Sequence, residues 1–278
     1  MAARVGTMRC GGSVFDWGRR TYVMGILNIT PDSFSGDGLP GDVEAVVAQA
    51  RRFVAEGADI LDIGGESTRP GHAPVGVEEE LRRVVPVVAA VRRAVSVPIS
   101  IDSSKAPVAE AALDAGADMV NDQWGLLRDP ALGRLAAARG APIILMHNQT
   151  GAEYRDMLPD IVTSLARSCE LALMAGVSQE NIVVDPGFGF GKTWEQNLEV
   201  LRRLDELQVL GRPILIGTSR KSMIGRVLDL PPDQRVEGTA ATVAVGIVKG
   251  ADIVRVHDVL AMARVARMTD AIIRTAPG

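Results

Sequence analysis

The sequence predicts a single-domain (β/α)8 barrel, a TIM barrel, over residues 1–278, with a short N-terminal hairpin within residues 1–20. Three observations predict it. Short apolar runs alternate with helix-period stretches eight times in about 250 residues, the count of a barrel. A glycine closes the helical stretches and hands over to an apolar run, as in Gly57-Ala-Asp-Ile, Gly116-Ala-Asp-Met and Gly250-Ala-Asp-Ile; Gly140-Ala-Pro-Ile, Gly211-Arg-Pro-Ile and Gly176-Val-Ser-Gln are variants. Glycine takes the left-handed cap without steric penalty. Each run also ends in a polar residue. In a barrel all eight ends face one site, whereas in an open doubly wound sheet, the alternative, only the switch-point ends do.

The elements follow in order. Gly11-Gly12 and Asp16-Trp17-Gly18 suggest a hairpin closing the bottom of the domain. The first barrel strand is Thr21–Leu27, followed by the loop from Asn28 to Gly41 and a helix over Val43–Glu56. The second strand lies in Asp59–Gly71, an apolar run that breaks at Gly64-Gly65 into a loop with Glu66, Ser67, Thr68 and Arg69. A buried strand feeding a reactive loop reads this way. Helices over Val77–Val95, Ala106–Ala115, Ala131–Arg139, Asp160–Ala175 and Glu195–Leu207 alternate with strands at Pro98–Ile101, Met119–Val120, Ile143–Met146 and Ile182–Val184. The seventh strand is Pro213–Ile216, followed by helices at Lys221–Leu228 and Thr239–Lys249. Strand Ile253–Val256 and a last helix complete the chain. The short apolar strands suit a parallel sheet covered on both faces.

Composition narrows the function. The chain is 47% hydrophobic and 23% charged with a net charge of −4, a balance that suits a soluble enzyme with a sizeable core. No basic stripe argues for nucleic acid, and no apolar run approaches the roughly 18 residues of a membrane span. Cys10 and Cys169 sit in no C-x-x-C, so they are expected to be reduced thiols in a cytoplasmic protein without a secretory leader.

The polar strand ends are Asn28, Asp62, Asp102, Asn121, His147, Asp185, Lys221 and His257. The bland alternative is helix capping, which Asp102 before Ser103-Ser104 and Ser219 before a helix would suit. Convergence of so many carboxylates, amides and a lysine favours recognition of a heterocycle with a guanidine-like edge. Gly187-Phe-Gly-Phe-Gly-Lys-Thr193 resembles a phosphate loop, but the first glycine of that template falls on Pro186, so a flexible loop is expected instead. Phe34, Phe188 and Phe190 lie in strand-end loops, as flat walls for an aromatic ligand or as local packing. The helix start at Ser219-Arg-Lys-Ser suits an anion such as a carboxylate. Arg69, Arg255 and His257 suit a phosphate-type group, although Arg255 could instead pair with a neighbouring carboxylate. Three scattered histidines without a cysteine cluster disfavour zinc, while oxygen ligands suit Mg2+, which leans on substrate phosphates.

Met24-Gly-Ile-Leu-Asn-Ile-Thr-Pro-Asp-Ser-Phe-Ser, Asp62-Ile-Gly-Gly-Glu-Ser-Thr-Arg-Pro-Gly, Met146-His-Asn, Asp185-Pro-Gly-Phe-Gly-Phe-Gly-Lys, Gly217-Thr-Ser-Arg-Lys-Ser and Arg255-Val-His-Asp together resemble the dihydropteroate synthase family. The resemblance runs from about Val23 to the last helix. It implies a pterin-binding barrel that joins 6-hydroxymethyl-7,8-dihydropterin pyrophosphate to p-aminobenzoate in folate synthesis, with sulfonamides as competitive inhibitors and a homodimer as the common assembly. Residue by residue, it implies pterin binding at Asp102, Asn121, Asp185 and Lys221. It implies a Mg2+ ligand at Asn28, and pyrophosphate binding at Asn28, Thr68, Arg255 and His257. For p-aminobenzoate it implies Phe34, Thr68, Arg69, Pro70, Phe190, Lys221 and Ser222. Asp102, Asp185, Lys221, Arg255 and His257 are the expected catalytic set.

Two positions depart from the family's pattern: the loop acid is displaced by one in Ser35-Gly36-Asp37-Gly38, and Met223 stands where phenylalanine is common. A pterin-dependent methyltransferase would lack the Ser-Thr-Arg-Pro loop and the Lys-Ser helix start. A degenerate, non-catalytic paralogue would be expected to lose Asn28, Thr68-Arg69 or Lys221. All of these features are present.

Overall fold

The computed structural model describes residues 6–29, 43–66 and 75–274. Its first elements are strands β1 (Thr7–Cys10) and β2 (Ser13–Asp16), an antiparallel pair. Their turn is Gly11-Gly12, with φ of 51° and 82°. Two successive positive φ values favour glycine and match the twist of a hairpin. The pair packs Met8 and Phe15, with Trp17 just beyond, against Tyr22, Met24, Ile60, Met119, Ile144, Val183, Leu215 and Ile253. These lie at or near the starts of the barrel strands, so the hairpin plugs the N-terminal end of the barrel, as the sequence suggested.

Eight parallel strands form the wall: β3 (Tyr22–Asn28), β4 (Ile60–Gly64), β5 (Ile99–Asp102), β6 (Met119–Asp122), β7 (Ile143–Met146), β8 (Ile182–Asp185), β9 (Leu215–Ile216) and β10 (Ile253–Val256). Their order is β8-β7-β6-β5-β4-β3-β10-β9. A bridge between Val184 and Ile214 joins the two ends of that order, and Val184 N–H donates to Pro213 O at 2.9 Å. The sheet therefore closes, and the open-sheet alternative fails. β9 is shorter than the predicted Pro213–Ile216 because Pro213 has no N–H to give a ladder.

The outer layer is α1 (Val43–Glu56), α2 (Val77–Ala94), α3 (Ala106–Asp114), α4 (Ala131–Arg139), α5 (Met157–Met174), α6 (Trp194–Arg202), α7 (Ser222–Leu228), α8 (Val236–Val248) and α9 (Val259–Ile273). Each longer helix buries one stripe; in α1 it is Val46, Ala50 and Phe53. The helix predicted over Glu195–Leu207 instead stops at Arg202, and a 3-10 turn runs over Leu204–Leu210. Leu204 and Leu207, three apart, are both buried, a spacing that suits three residues per turn. None of the described helices is long and apolar enough to cross a membrane.

The repeated Gly-Ala-Asp has a second use beyond its glycine. Each aspartate reaches sideways to the start of the neighbouring strand. Asp59 accepts the Val23 N–H at 2.8 Å, Asp118 accepts Ile99 N–H at 2.9 Å, and Asp252 accepts Ile214 N–H at 2.9 Å. The motif thus satisfies backbone donors that the ladder leaves open at the bottom of the barrel.

Candidate active site

The polar strand ends converge at the C-terminal mouth, as the barrel requires. Arg255, on β10, reaches across the lumen and donates from Nε to Asp62 Oδ2 at 2.6 Å and from Nη2 to Asp102 Oδ2 at 2.8 Å. Asp62 is fully buried and also accepts from Asn121 Nδ2 at 3.1 Å. Asp102 also accepts from Gln123 Nε2 at 2.6 Å. Asp62, Asp102, Asn121, Gln123 and Arg255 therefore form one connected network, contributed by four strands. Burial pushes the Asp102 carboxyl up, against the pull of Arg255, with Asp62 adding to the rise.

Asp185 closes β8, and one of its oxygens accepts Gly187 N–H at 2.7 Å. Burial pushes its carboxyl up to about 6, opposed by that N–H and by Lys221, Arg255 and Lys192. Lys221 stands just before α7, with Nζ 4.4 Å from the centre of the Phe190 ring. Gly189 makes this approach possible. It has φ of 82°, and a Cβ there would lie 3.0 Å from Lys221 Cδ. Phe190 is half-buried, whereas Phe188 is part of the core. Of these two phenylalanines, only Phe190 remains available as a flat wall.

The loop after β8, expected to be flexible, is tied on several sides. Lys192 Nζ donates to Gly187 O and Phe190 O, each at 3.0 Å. Gly189 N–H donates to Asn197, and the Tyr154 hydroxyl donates to Gly191 O. Burial pulls Lys192 down to about 7, Asp185 opposing and Lys221 adding to the fall. His147 turns toward Tyr154, its Nε2 at 3.2 Å from the hydroxyl, and burial pulls it down to about 3. His257 lies just past β10, its Nδ1 3.0 Å from Ser219 Oγ. Burial, with Arg255 and Arg220, pulls it down to about 3. Arg220 itself is held by both oxygens of Asp258.

The arrangement is a buried acid-and-amide floor with cations at its rim and an aromatic face beside a lysine. Residues 24–257 match the family of pterin binding enzymes. A dihydropteroate synthase of Clostridium beijerinckii is 51% identical over 96% of this chain and 100% of its own length. This chain belongs to the dihydropteroate synthase family. The crystal structure of a family member from Clostridium difficile, obtained in the presence of pteroic acid, is 53% identical with a TM-score of 0.91, covering 94% of this chain and 100% of that one. The synthase of Xanthomonas albilineans with 4-aminobenzoic acid is 42% identical with a TM-score of 0.91, covering 97% and 99%.

Against that family frame, the structure brings Asp102, Asn121, Asp185, Lys221, Arg255 and His257 to the mouth. Asn28 closes β3 and is exposed, and Ser222 is exposed at the start of α7. Phe34, Thr68, Arg69 and Pro70 lie outside the described residues, as does the shifted acid Asp37. Met223 is buried against the core rather than lining the mouth. The capping alternative fails for both residues it suited. Asp102 serves Arg255 and Gln123, while Asp129 receives the Ala106 N–H at the start of α3. Ser219 binds His257, and Lys221 is the residue that precedes α7. Gln123 and Lys192 were not singled out in the sequence, and Ser219, read there as part of an anion-binding helix start, instead meets His257. A polar residue directly after a strand-end pair, as Gln123 follows Asn121-Asp122, was the available signal.

Proposed function

We propose that this chain condenses 6-hydroxymethyl-7,8-dihydropterin pyrophosphate with p-aminobenzoate, giving 7,8-dihydropteroate and pyrophosphate. The observation that carries the reading is the buried network of Asp102, Asn121 and Arg255 beside Asp185. Carboxylates accept from the amino and ring N–H groups of a pterin, and the Asn121 amide offers both a donor and an acceptor. The pterin methylene loses its bond to the diphosphate oxygen, the bonding pair leaving with the diphosphate. The methylene becomes cationic, and Asp102 and Asp185, in a low-dielectric floor, favour that charge. The neutral amine of p-aminobenzoate attacks the methylene and then loses a proton to water.

Arg255 uses Nε and Nη2 on aspartates, and Nη1 has no partner among the described residues. That nitrogen, with His257, is assigned to the leaving diphosphate. The Phe190 face and Lys221 border the p-aminobenzoate pocket, with Ser222 at its carboxylate end. The family resemblance assigns Thr68, Arg69, Pro70 and Phe34 to p-aminobenzoate as well, and sulfonamides compete with it.

Mg2+ fits the donors present. Among the described residues no group of three His, Cys, Asp or Glu side chains is placed to hold a metal. Asn28 offers a single neutral oxygen at the mouth, which suits an ion held mainly by water and substrate phosphates. When bound, Mg2+ neutralises charge on the diphosphate. Two buried, unpaired cysteines suit work in the cytoplasm.

The test is release of pyrophosphate when both substrates and Mg2+ are supplied. No pyrophosphate release, or release with no dihydropteroate formed, when both substrates are present would overturn the reading.

A further inference from the structure

Ser219 Oγ meets His257 twice. The His257 backbone N–H donates to it at 3.2 Å, and the ring Nδ1 lies 3.0 Å away. Ser219 is buried, and its hydroxyl has no other acceptor among the described residues. A hydroxyl carries one proton and two lone pairs. With a lone pair already taken by the backbone N–H, the favourable use of the proton is donation to Nδ1. If Nδ1 instead carried its own proton, two donors would point at Oγ and the hydroxyl proton would be buried unpaired, at a cost.

We propose that Ser219 is a positioning residue that fixes His257 as the neutral Nε2–H tautomer, so that Nε2–H faces the anion at the barrel mouth as a donor. In the ligand-free protein the ring is held neutral, since burial and the cations Arg255, Arg220 and Lys221 disfavour a proton more than Asp258 favours one. A neutral ring helps an anion only if the nitrogen facing it carries the proton. Ser219 decides which nitrogen that is, without touching the ligand. The assignment of the anion as diphosphate rests on the proposed function; the tautomer does not.

The full chain holds only three histidines, His72, His147 and His257, so imidazole nitrogen-15 spectra near neutral pH can be assigned with a His257→Asn control. The expected result is His257 Nδ1 unprotonated and Nε2 protonated. A protonated Nδ1 in the wild-type chain would overturn the proposal whether or not any variant folds. Ser219→Ala should shift the tautomer balance and weaken inorganic pyrophosphate several-fold by calorimetry. Ser219→Thr, which keeps the hydroxyl, should restore both. Affinity for unphosphorylated 6-hydroxymethylpterin should stay unchanged in both Ser219 variants. If Ser219→Ala folds and leaves the tautomer or pyrophosphate affinity untouched, the positioning role falls. If the wild-type tautomer is as stated but the chain makes no dihydropteroate, the proposed function fails and the tautomer assignment stands.

Discussion

Asp185 is the residue whose loss should be felt most. It is buried, accepts one backbone N–H, and faces Lys221, Arg255 and Lys192. Asp185→Asn keeps the shape and removes the charge. A hydrogen bond to a charged group contributes about 1.5–3 kcal/mol, so pterin affinity by calorimetry should fall at least tenfold and turnover should vanish. The sign of the pH effect follows from the raised pKa of about 6. The ionised form is the one that binds, so wild-type pterin affinity should fall as pH drops through about 6, and the Asn variant should lack that limb. Unchanged affinity in the variant would remove Asp185 from the site. Asp102, Asn121, Asp185 and Lys221 were legible in the sequence because each stands at or just beyond a strand end. The sequence allowed Arg255 a carboxylate partner, as the structure bears out, but which carboxylates it takes was not legible. Arg255 and Asp62 are 193 residues apart in the chain, and only the closure of the barrel brings them together. The same holds for Ser219 and His257, 38 apart on different strand ends.

Two elements carry predictions of opposite kinds. At the bottom, Asp252 holds the start of β9 through the Ile214 N–H. Asp252→Ala leaves that buried donor unpaired and should cost about 1–3 kcal/mol in urea unfolding, with substrate Michaelis constants unchanged. Equal stability would show that the strand start finds another partner. At the top, α7 spans only Ser222–Leu228. So short a helix has little dipole to offer, and the anion reading of its start must rest on the Ser222 hydroxyl. One neutral hydrogen bond contributes about 0.5–1.5 kcal/mol. Ser222→Ala should therefore raise the Michaelis constant for p-aminobenzoate, and the inhibition constant of a sulfonamide, several-fold, while that for the pterin substrate barely moves. A change in the pterin constant alone would place the carboxylate elsewhere. The elements themselves were legible because period and glycine caps repeat. The failures, at β9 and after α6, fall where a proline removes a donor and where leucines three apart favour a tighter turn.

On the scale of the whole molecule, the bottom is plugged by the hairpin and the top holds the site, and the helical wall is where an assembly face is expected. Adjacent helices α8 and α9 offer one. Leu260, Met268 and Ile272 are 43%, 63% and 71% exposed, and their spacing of eight and four places them on one face of α9. That face is opposite the buried stripe of Val259, Met262, Ala263 and Ala266. On α8, Val245 and Val248, three apart, are 45% and 47% exposed. Arg264, exposed on the same stripe between Leu260 and Met268, makes this face mixed rather than purely apolar, the composition of a polar-rimmed interaction face. The family resemblance implies a homodimer, and a two-fold axis lets the same patch cover itself, so a second copy of the chain is its expected occupant. The interface would flank β10, which α8 precedes and α9 follows, and so would brace the strand that carries Arg255. Sedimentation should give twice the chain mass of 29.5 kDa. Paired substitution Met268→Glu and Ile272→Glu should yield a folded monomer with a lower melting temperature and weaker pyrophosphate affinity. A wild-type monomer at micromolar concentration, or a dimer that ignores both glutamates, would move the interface off this face.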